Sequence, residues 1–370
     1  MDKNKQSQSA GDNASQIQAG TFNNFNISVT GIDEATARQI CRQEYAIAVQ
    51  NWTEEARKMI EQRVCLFEDK VMTKMIKYDE SLKIFADPAF QLTLRQAQIS
   101  AATSERESDY ETLSELLLHR AEYNSEREKR LGISKAIEIV NDVSTEAMIA
   151  LSVVYAMGKY SPVTNDLVEG LTLMNQIFES IIKGSILPKG NEWIEHLGLL
   201  STIRISPTGL TQFNKMKDCL PQIHSQYLVS GVMVDSIEYN NIVNEFNNCG
   251  IPVTCLIPHT LKSGFVNLNN SLSANDMRLI QTINNINVEY ELNEEQKNAM
   301  KKAITILRKD ESKNNEMKEK FLLEWDKYSS LKTIHLWWDS ISSHFTFTPS
   351  GEALANAYIR TRYPDIPNLY

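Results

Sequence analysis

Between Asp33 and Tyr78 apolar side chains recur at three- and four-residue steps: Trp52, Ala56, Met59, Ile60, Val64, Phe67, Val71 and Met75, with no Pro or Gly in the segment. That spacing puts them on one stripe of an amphipathic helix. Asp33 can cap the helix and Glu34 suits its first turn. An unbroken helix of this length would span on the order of 70 Å, more than a small domain. A break is therefore expected near Asn51, where Thr53, Glu54 and Glu55 can restart it. The stripe serves either a packed helix hairpin or a coiled coil between protomers. Both assign it to a core or an interface rather than to a cofactor.

The same periodicity continues downstream. Asp87-Pro88 opens a helix that should run to about Tyr123, because Pro is pre-organised for a first helical position. Leu92, Leu94, Leu113, Leu116 and Leu117 are its expected buried positions. Further helices are expected over 126–142, 144–158 and 164–183, followed by a loop from Gly184 to Gly190. The longest apolar run, Ala147–Met157, is about half of the roughly twenty residues a membrane span needs. It is expected to be a buried core helix.

The C-terminal half has a different texture, with short apolar runs and more Asn, Gly and Pro. Strands are expected over Tyr227–Val234, Pro252–Ile257 and Gly264–Leu268, and helix returns over 293–329. Two segments echo each other: Ile203-Arg204-Ile205-Ser206-Pro207-Thr208-Gly209 and Phe345-Thr346-Phe347-Thr348-Pro349-Ser350-Gly351. Each predicts a short alternating strand, a turn, and a helix capped by Ser206 or Thr348 with Pro at its first position. A helix precedes each copy, which is the texture of winged-helix modules. The basic residues at hand are Arg204, Lys215 and Lys217 for the first copy, and Arg360 and Arg362 for the second. That supply is thin for a groove reader, which needs several phosphate contacts as well as base contacts.

The first thirty residues obey another rule. Asp12–Thr21 and Phe22–Gly31 can be laid over one another as two ten-residue rungs: Asn13 meets Asn23, Ile17 meets Ile27, and Ala19 meets Val29. Phe25, Ile27 and Val29 alternate with Asn26 and Ser28, which is strand periodicity, and charge is absent from Asn13 to Thr30. A rung this short cannot satisfy its own edge hydrogen bonds. Copies stacked in register would pair every backbone group and align Asn and Gln side chains into amide ladders. Gln16-Ile17-Gln18-Ala19-Gly20, followed by Asn23, Asn24 and Ile27, resembles the short amyloid-type signalling motifs of bacterial immune proteins. Those motifs are similar to the animal RIP-homotypic-interaction motif, whose core is aliphatic-Gln-aliphatic-Gly; Ala19 is smaller than the aliphatic usual there. The chain also resembles a bacterial family with a long helical middle and a tail like His344–Ile359, HFTFTPSGEALANAYI. That resemblance implies a phage-defence or stress context.

The formal net charge is −9, which disfavours non-specific phosphate-backbone binding. Cys41, Cys65, Cys219, Cys249 and Cys255 are odd in number and contain no CxxC pair, so reduced thiols in a cytoplasm are expected. Residues 1–16 hold no apolar run of the kind a secretion signal requires.

No phosphate-binding GxxxxGK[ST], no GxSxG and no HExxH is present in the sequence. His119, His196, His224, His259, His335 and His344 are scattered. Cys249, Cys255 and His259 make the one weak thiolate grouping, and Glu316 with Lys318 lacks the strand context of a nuclease core. No catalytic, cofactor-binding or metal residue is assigned.

The expected fold is mostly α with a minor β component. It comprises a β-type self-association segment over 1–31, a helical domain over 32–185 and an α+β domain over 186–370. The expected function is non-enzymatic self-assembly through Asn13, Gln16, Ile17, Gln18, Ala19, Gly20, Asn23, Phe25, Ile27 and Val29 together with the long helix. The partners are copies of the chain and, by resemblance, defence or signalling proteins, with neither nucleic acid nor membrane expected. A nucleic-acid-associated regulator and an enzyme with a site between the two halves are the alternatives.

Overall fold

A computed structural model describes residues 31–48, 53–162, 164, 166–206, 214–268, 278–283, 286–308 and 311–368. The chain is mostly helical, with small antiparallel sheets in its C-terminal half.

The stripe helix divides where its sequence allows: α1 covers Glu34–Ala48 and α2 covers Glu54–Tyr78, with the Thr53 hydroxyl accepting from the Ala56 N–H. Ile60, Val64, Phe67, Val71 and Met75 are buried within this chain, whereas Met59 is 55% exposed. The stripe therefore faces the chain's own helices α3 (Pro88–Thr103) and α4 (Glu107–Glu122). Helix α1 lies chiefly against α3, held by Arg95 to Glu44 at 2.6 Å and by the Gln98 amide donating to the Cys41 carbonyl at 2.9 Å.

One expected helix over 88–123 is in fact two. Arg106 stops it by bonding to Asp109 and to the carbonyls of Val140, Asn141 and Val143, the last at 2.7 Å. Ser104 closes the corner on Asp109 at 2.5 Å. These long-range acceptors outweigh local helix propensity. Leu92, expected inside, is 61% exposed, while Leu94, Leu113, Leu116 and Leu117 are buried.

Helices α5 (Arg127–Ile139), α6 (Thr145–Lys159) and α7 (Leu167–Ile182) follow. Every residue from Ala147 to Met157 is buried, as its composition led one to expect. No described helix is long and apolar enough to cross a membrane.

Then come α8 (Glu192–Leu199), β1 (Ile203–Ile205), α9 (Met216–Ile223) and the single turn α10 (Ser225–Leu228). Next are β2 (Val232–Met233), α11 (Ile237–Cys249), β3 (Leu256–Pro258), β4 (Phe265–Leu268), β5 (Arg278–Ile283) and β6 (Ile286–Glu291). The chain closes with α12 (Glu294–Leu307), α13 (Glu311–Trp325), α14 (Ser329–Trp338), β7 (Phe345–Phe347) and α15 (Pro349–Arg362). Of the strand expected over Tyr227–Val234 only Val232–Met233 is strand, and Tyr227–Leu228 end a helical turn. The α11 helix and the β5–β6 hairpin were not anticipated.

The two echoing segments meet each other. β1 pairs antiparallel with β7, Ile203 opposite Phe347 and Ile205 opposite Phe345. Trp193 and Trp337, from the helices that precede them, sit 5.6 Å apart. Thr348 caps α15 and its hydroxyl also donates to the Ser201 carbonyl at 2.7 Å. Gly351 is required here: a Cβ on it would stand 2.0 Å from the Thr202 carbonyl oxygen. The second copy is strand, turn and helix as expected; the turn after Ser206 in the first lies outside the described residues, and the two strands form one ribbon instead of two separate wings.

Apolar side chains collect into two main cores. The large one runs from Ala37 to Ile366 and wraps α15, whose residues Ala353 to Ile359 are all buried. The smaller one draws only on Val232 to Leu307. The large core thus crosses the expected 185/186 boundary, because α8, β1, α13, α14 and α15 pack on the helical half. The described residues between 229 and 308 form an insert with its own interior.

Candidate functional site

Helices α2 and α4 run side by side, and Lys and Glu at four-residue spacing form a ladder between them: Lys70 meets Glu111 and Lys74 meets Glu115. The last rung is the unusual one. Glu115 is 4% exposed and receives three cationic or potentially cationic groups. Lys74 comes from α2, Arg360 from α15 with Nε at 2.5 Å, and His119 from the next turn of α4 with Nε2 at 3.5 Å. Burial alone would raise the Glu115 carboxyl, but His119 and Lys74 outweigh it and hold the group well below the usual carboxylate range.

Arg360 does a second job. Its Nη1 donates to the Ile366 carbonyl at 3.0 Å, and Asn368 Nδ2 donates to Glu122 at 2.5 Å. These bonds fold the C-terminal strap, residues 363–368, back across the body. The strap forms one wall of a cavity of about 790 Å³ whose other walls are α7 and the end of α6. Leu173, Met174, Ile177, Ile366 and Tyr363 line it with apolar surface.

Tyr160 supplies a buried hydroxyl at its back, accepting from Asn356 Nδ2 at 2.9 Å. Burial pushes the Tyr160 phenol up to about 12, so it is neutral and able to donate. Asn356 Oδ1 and the Tyr155 hydroxyl, next to it, are buried without a hydrogen-bond partner. The α6–α7 loop is pinned by Tyr227, whose hydroxyl donates to the Thr164 carbonyl at 2.7 Å.

A second cleft of about 650 Å³ opens between α7, the 257–261 segment of the insert and α13, with Val168 and Leu323 exposed in it. Below it His224 is fully enclosed by Phe321, Trp325 and Tyr227, with ring centroids 5.2, 5.6 and 6.4 Å away. Burial drives its pKa down to about 3, so the ring is neutral.

The residues expected to self-associate, Asn13, Gln16, Ile17, Gln18, Ala19, Gly20, Asn23, Phe25, Ile27 and Val29, lie outside the described residues. Their junction with the body does not. The Ile32 N–H donates to the Ser81 carbonyl at 2.7 Å, and Asp33 accepts from Thr36 at 2.7 Å. A Cβ on Gly31 would sit 2.9 Å from that same Ser81 oxygen.

Most of the basic residues weighed for nucleic-acid contact are engaged by groups of the chain itself. Lys215 reaches the Asp339 carbonyl, Lys217 pairs with Glu319 at 2.7 Å, Arg360 holds Glu115, and Arg362 lies over the Tyr358 ring. Arg204 is exposed on β1. His259, the nitrogen ligand weighed beside Cys249 and Cys255, uses both ring nitrogens: Nε2 meets the Val229 carbonyl at 2.6 Å and Nδ1 accepts from the Leu261 N–H.

Sequence reasoning missed Glu115, Tyr160 and Asn356, and weighed Arg360 only for nucleic-acid contact. The i,i+4 spacing of Glu115 and His119 was the one local signal. The partners that give these groups meaning stand up to 245 residues away.

Fold and site together define a mostly α-helical protein with a buried charge hub that braces a C-terminal strap over a cavity. A protein-family model described as ":-like" matches residues 31–368, and the chain belongs to that family. No curated protein and no solved structure matches it.

Proposed function

We propose that this protein is a non-enzymatic self-assembling protein whose N-terminal rungs stack with those of other copies while residues 31–368 form the body they carry. One observation carries the reading: the Asn/Gln-rich leader, free of charge from Asn13 to Thr30, joins a body that is already closed at the junction. Gly31 and Ile32 are seated on Ser81. The α2 stripe, the other segment considered for association, has most of its apolar positions inside the chain's own core. The family match also starts at residue 31, leaving the leader outside it. Short rungs with unpaired edges and almost no charge then find their missing hydrogen bonds in neighbouring copies. The likeness of Gln16–Gly20 to amyloid-type signalling motifs supports a role in bacterial defence or signalling, with other proteins of such pathways as partners.

Size-exclusion chromatography with light scattering, on the full chain and on a variant lacking residues 1–30, tests the reading. A large assembly that reverts to a monomer on truncation supports it. A full-length monomer at all concentrations, or an assembly unaffected by truncation, overturns it.

A further inference from the structure

We propose that the cavity behind the C-terminal strap binds a small organic amine, one with an apolar body and a hydroxyl or carbonyl at its far end. The cavity is independent of the leader. Its volume of about 790 Å³ falls in the range of ligand sites, roughly 300–1,000 Å³. Leu173, Met174, Ile177 and Ile366 offer an apolar middle.

The two ends differ in chemistry. At the deep end Tyr160, 6% exposed, accepts one hydrogen bond from Asn356 and keeps its own proton for a ligand acceptor. Tyr160 is a lining residue of the cavity, so its hydroxyl is the polar group this end offers a guest. At the mouth stand Lys159, Glu169 and Asp365. Lys159 is neutralised by Glu352 at 3.2 Å. Glu169 accepts from the Thr164 hydroxyl, and among the described residues neither it nor Asp365 pairs with a Lys or Arg. The mouth therefore carries excess negative charge, which favours a cation and repels a carboxylate.

Three matched probes separate the terms: tyramine, phenethylamine, which lacks the hydroxyl, and 3-(4-hydroxyphenyl)propanoate, which reverses the charge. Isothermal titration on the full chain at neutral pH should show saturable binding of tyramine. It should bind about tenfold more tightly than the propanoate, the size expected of two partly exposed charge contacts. Tyramine should also bind more tightly than phenethylamine, and Glu169→Gln with Asp365→Asn, both on exposed positions, should remove the preference over the propanoate while leaving tyramine ahead of phenethylamine. Leu173→Trp should fill the cavity and abolish binding, with circular dichroism confirming the fold. Absence of saturable tyramine binding at millimolar concentration overturns the proposal. So does equal affinity for the propanoate, or undiminished binding by a folded Leu173→Trp variant.

Discussion

The large and small cores solve the same problem by different means. The small one is assembled from a contiguous stretch, Val232 to Leu307, and its buried apolar members are Val, Ile, Leu, Phe, Met and Ala. The large one closes only when the last helix arrives: α15 sits among α4, α5 and α6, and buried polar groups come with it. Glu115, His119, Gln98 and Asn356 all lie inside or beside that core. A contiguous apolar core can form locally, and its loss should be local. A core threaded by paired charges depends on both ends of the chain and should fail as a unit.

The strongest test of that contrast is Glu115→Ala. It would leave Lys74 and Arg360 without their shared anion, a loss of about 4 kcal/mol for breaking a buried ion pair. Thermal unfolding should show the whole large core destabilised, and the strap's amides should exchange faster. In the small core Phe246→Ala should cost about 3–4 kcal/mol through its cavity. Hydrogen exchange should then accelerate over 232–307 while α4 and α15 remain protected. Equal acceleration in both would remove the distinction.

Gly351→Ala comes next. Its Cβ would press on the Thr202 carbonyl, forcing the β1–β7 ribbon off α15 at a cost of about 2–3 kcal/mol, read as a lowered Tm.

Acid dependence supplies the most selective effect. His224 is neutral in the folded state, with a pKa near 3 against an ordinary 6.5. Below about pH 6.5 the unfolded chain gains a proton that the folded one refuses. Stability should then fall as pH drops from 6.5 toward 3, by at most about 1.4 kcal/mol per pH unit. The depressed Glu115 acts elsewhere: its contribution is complete above the ordinary carboxylate range, near 4.5, and is lost as pH falls below it. Neither His224 ring nitrogen has a partner in the fold. His224→Phe should therefore flatten the stability profile between pH 5 and 6.5 while keeping the Glu115 limb. An unchanged slope in chemical denaturation across that range would rule His224 out as its source.

Much of the fold was legible because helix signals are local. Thr53, Asp87-Pro88 and Thr348 each mark a helix start within a few residues of where it occurs. The Ala147–Met157 run announces burial by composition alone. The helix that should have run through Ser104 was misjudged because Arg106 stops it with carbonyls more than thirty residues away. The echo of 203–209 in 345–351 was visible, but its meaning was not. Two similar strands can be separate modules or partners, and only their approach decides.

The site was scarcely legible. Tyr160 meets Asn356 across 196 residues, and Glu115 meets Arg360 across 245. No window of sequence contains either pair.

By itself the amino-acid order determined most of the helices, most of the positions they bury, and that the first thirty residues differ in kind from the rest. Periodicity, caps and charge-free runs act over a few residues and need no partner to be read. Tertiary structure alone decided which carboxylate would be buried, which strands would pair and where a cavity would remain. Those outcomes depend on desolvation and on contacts between distant parts of the chain, and neither exists until the chain has closed on itself.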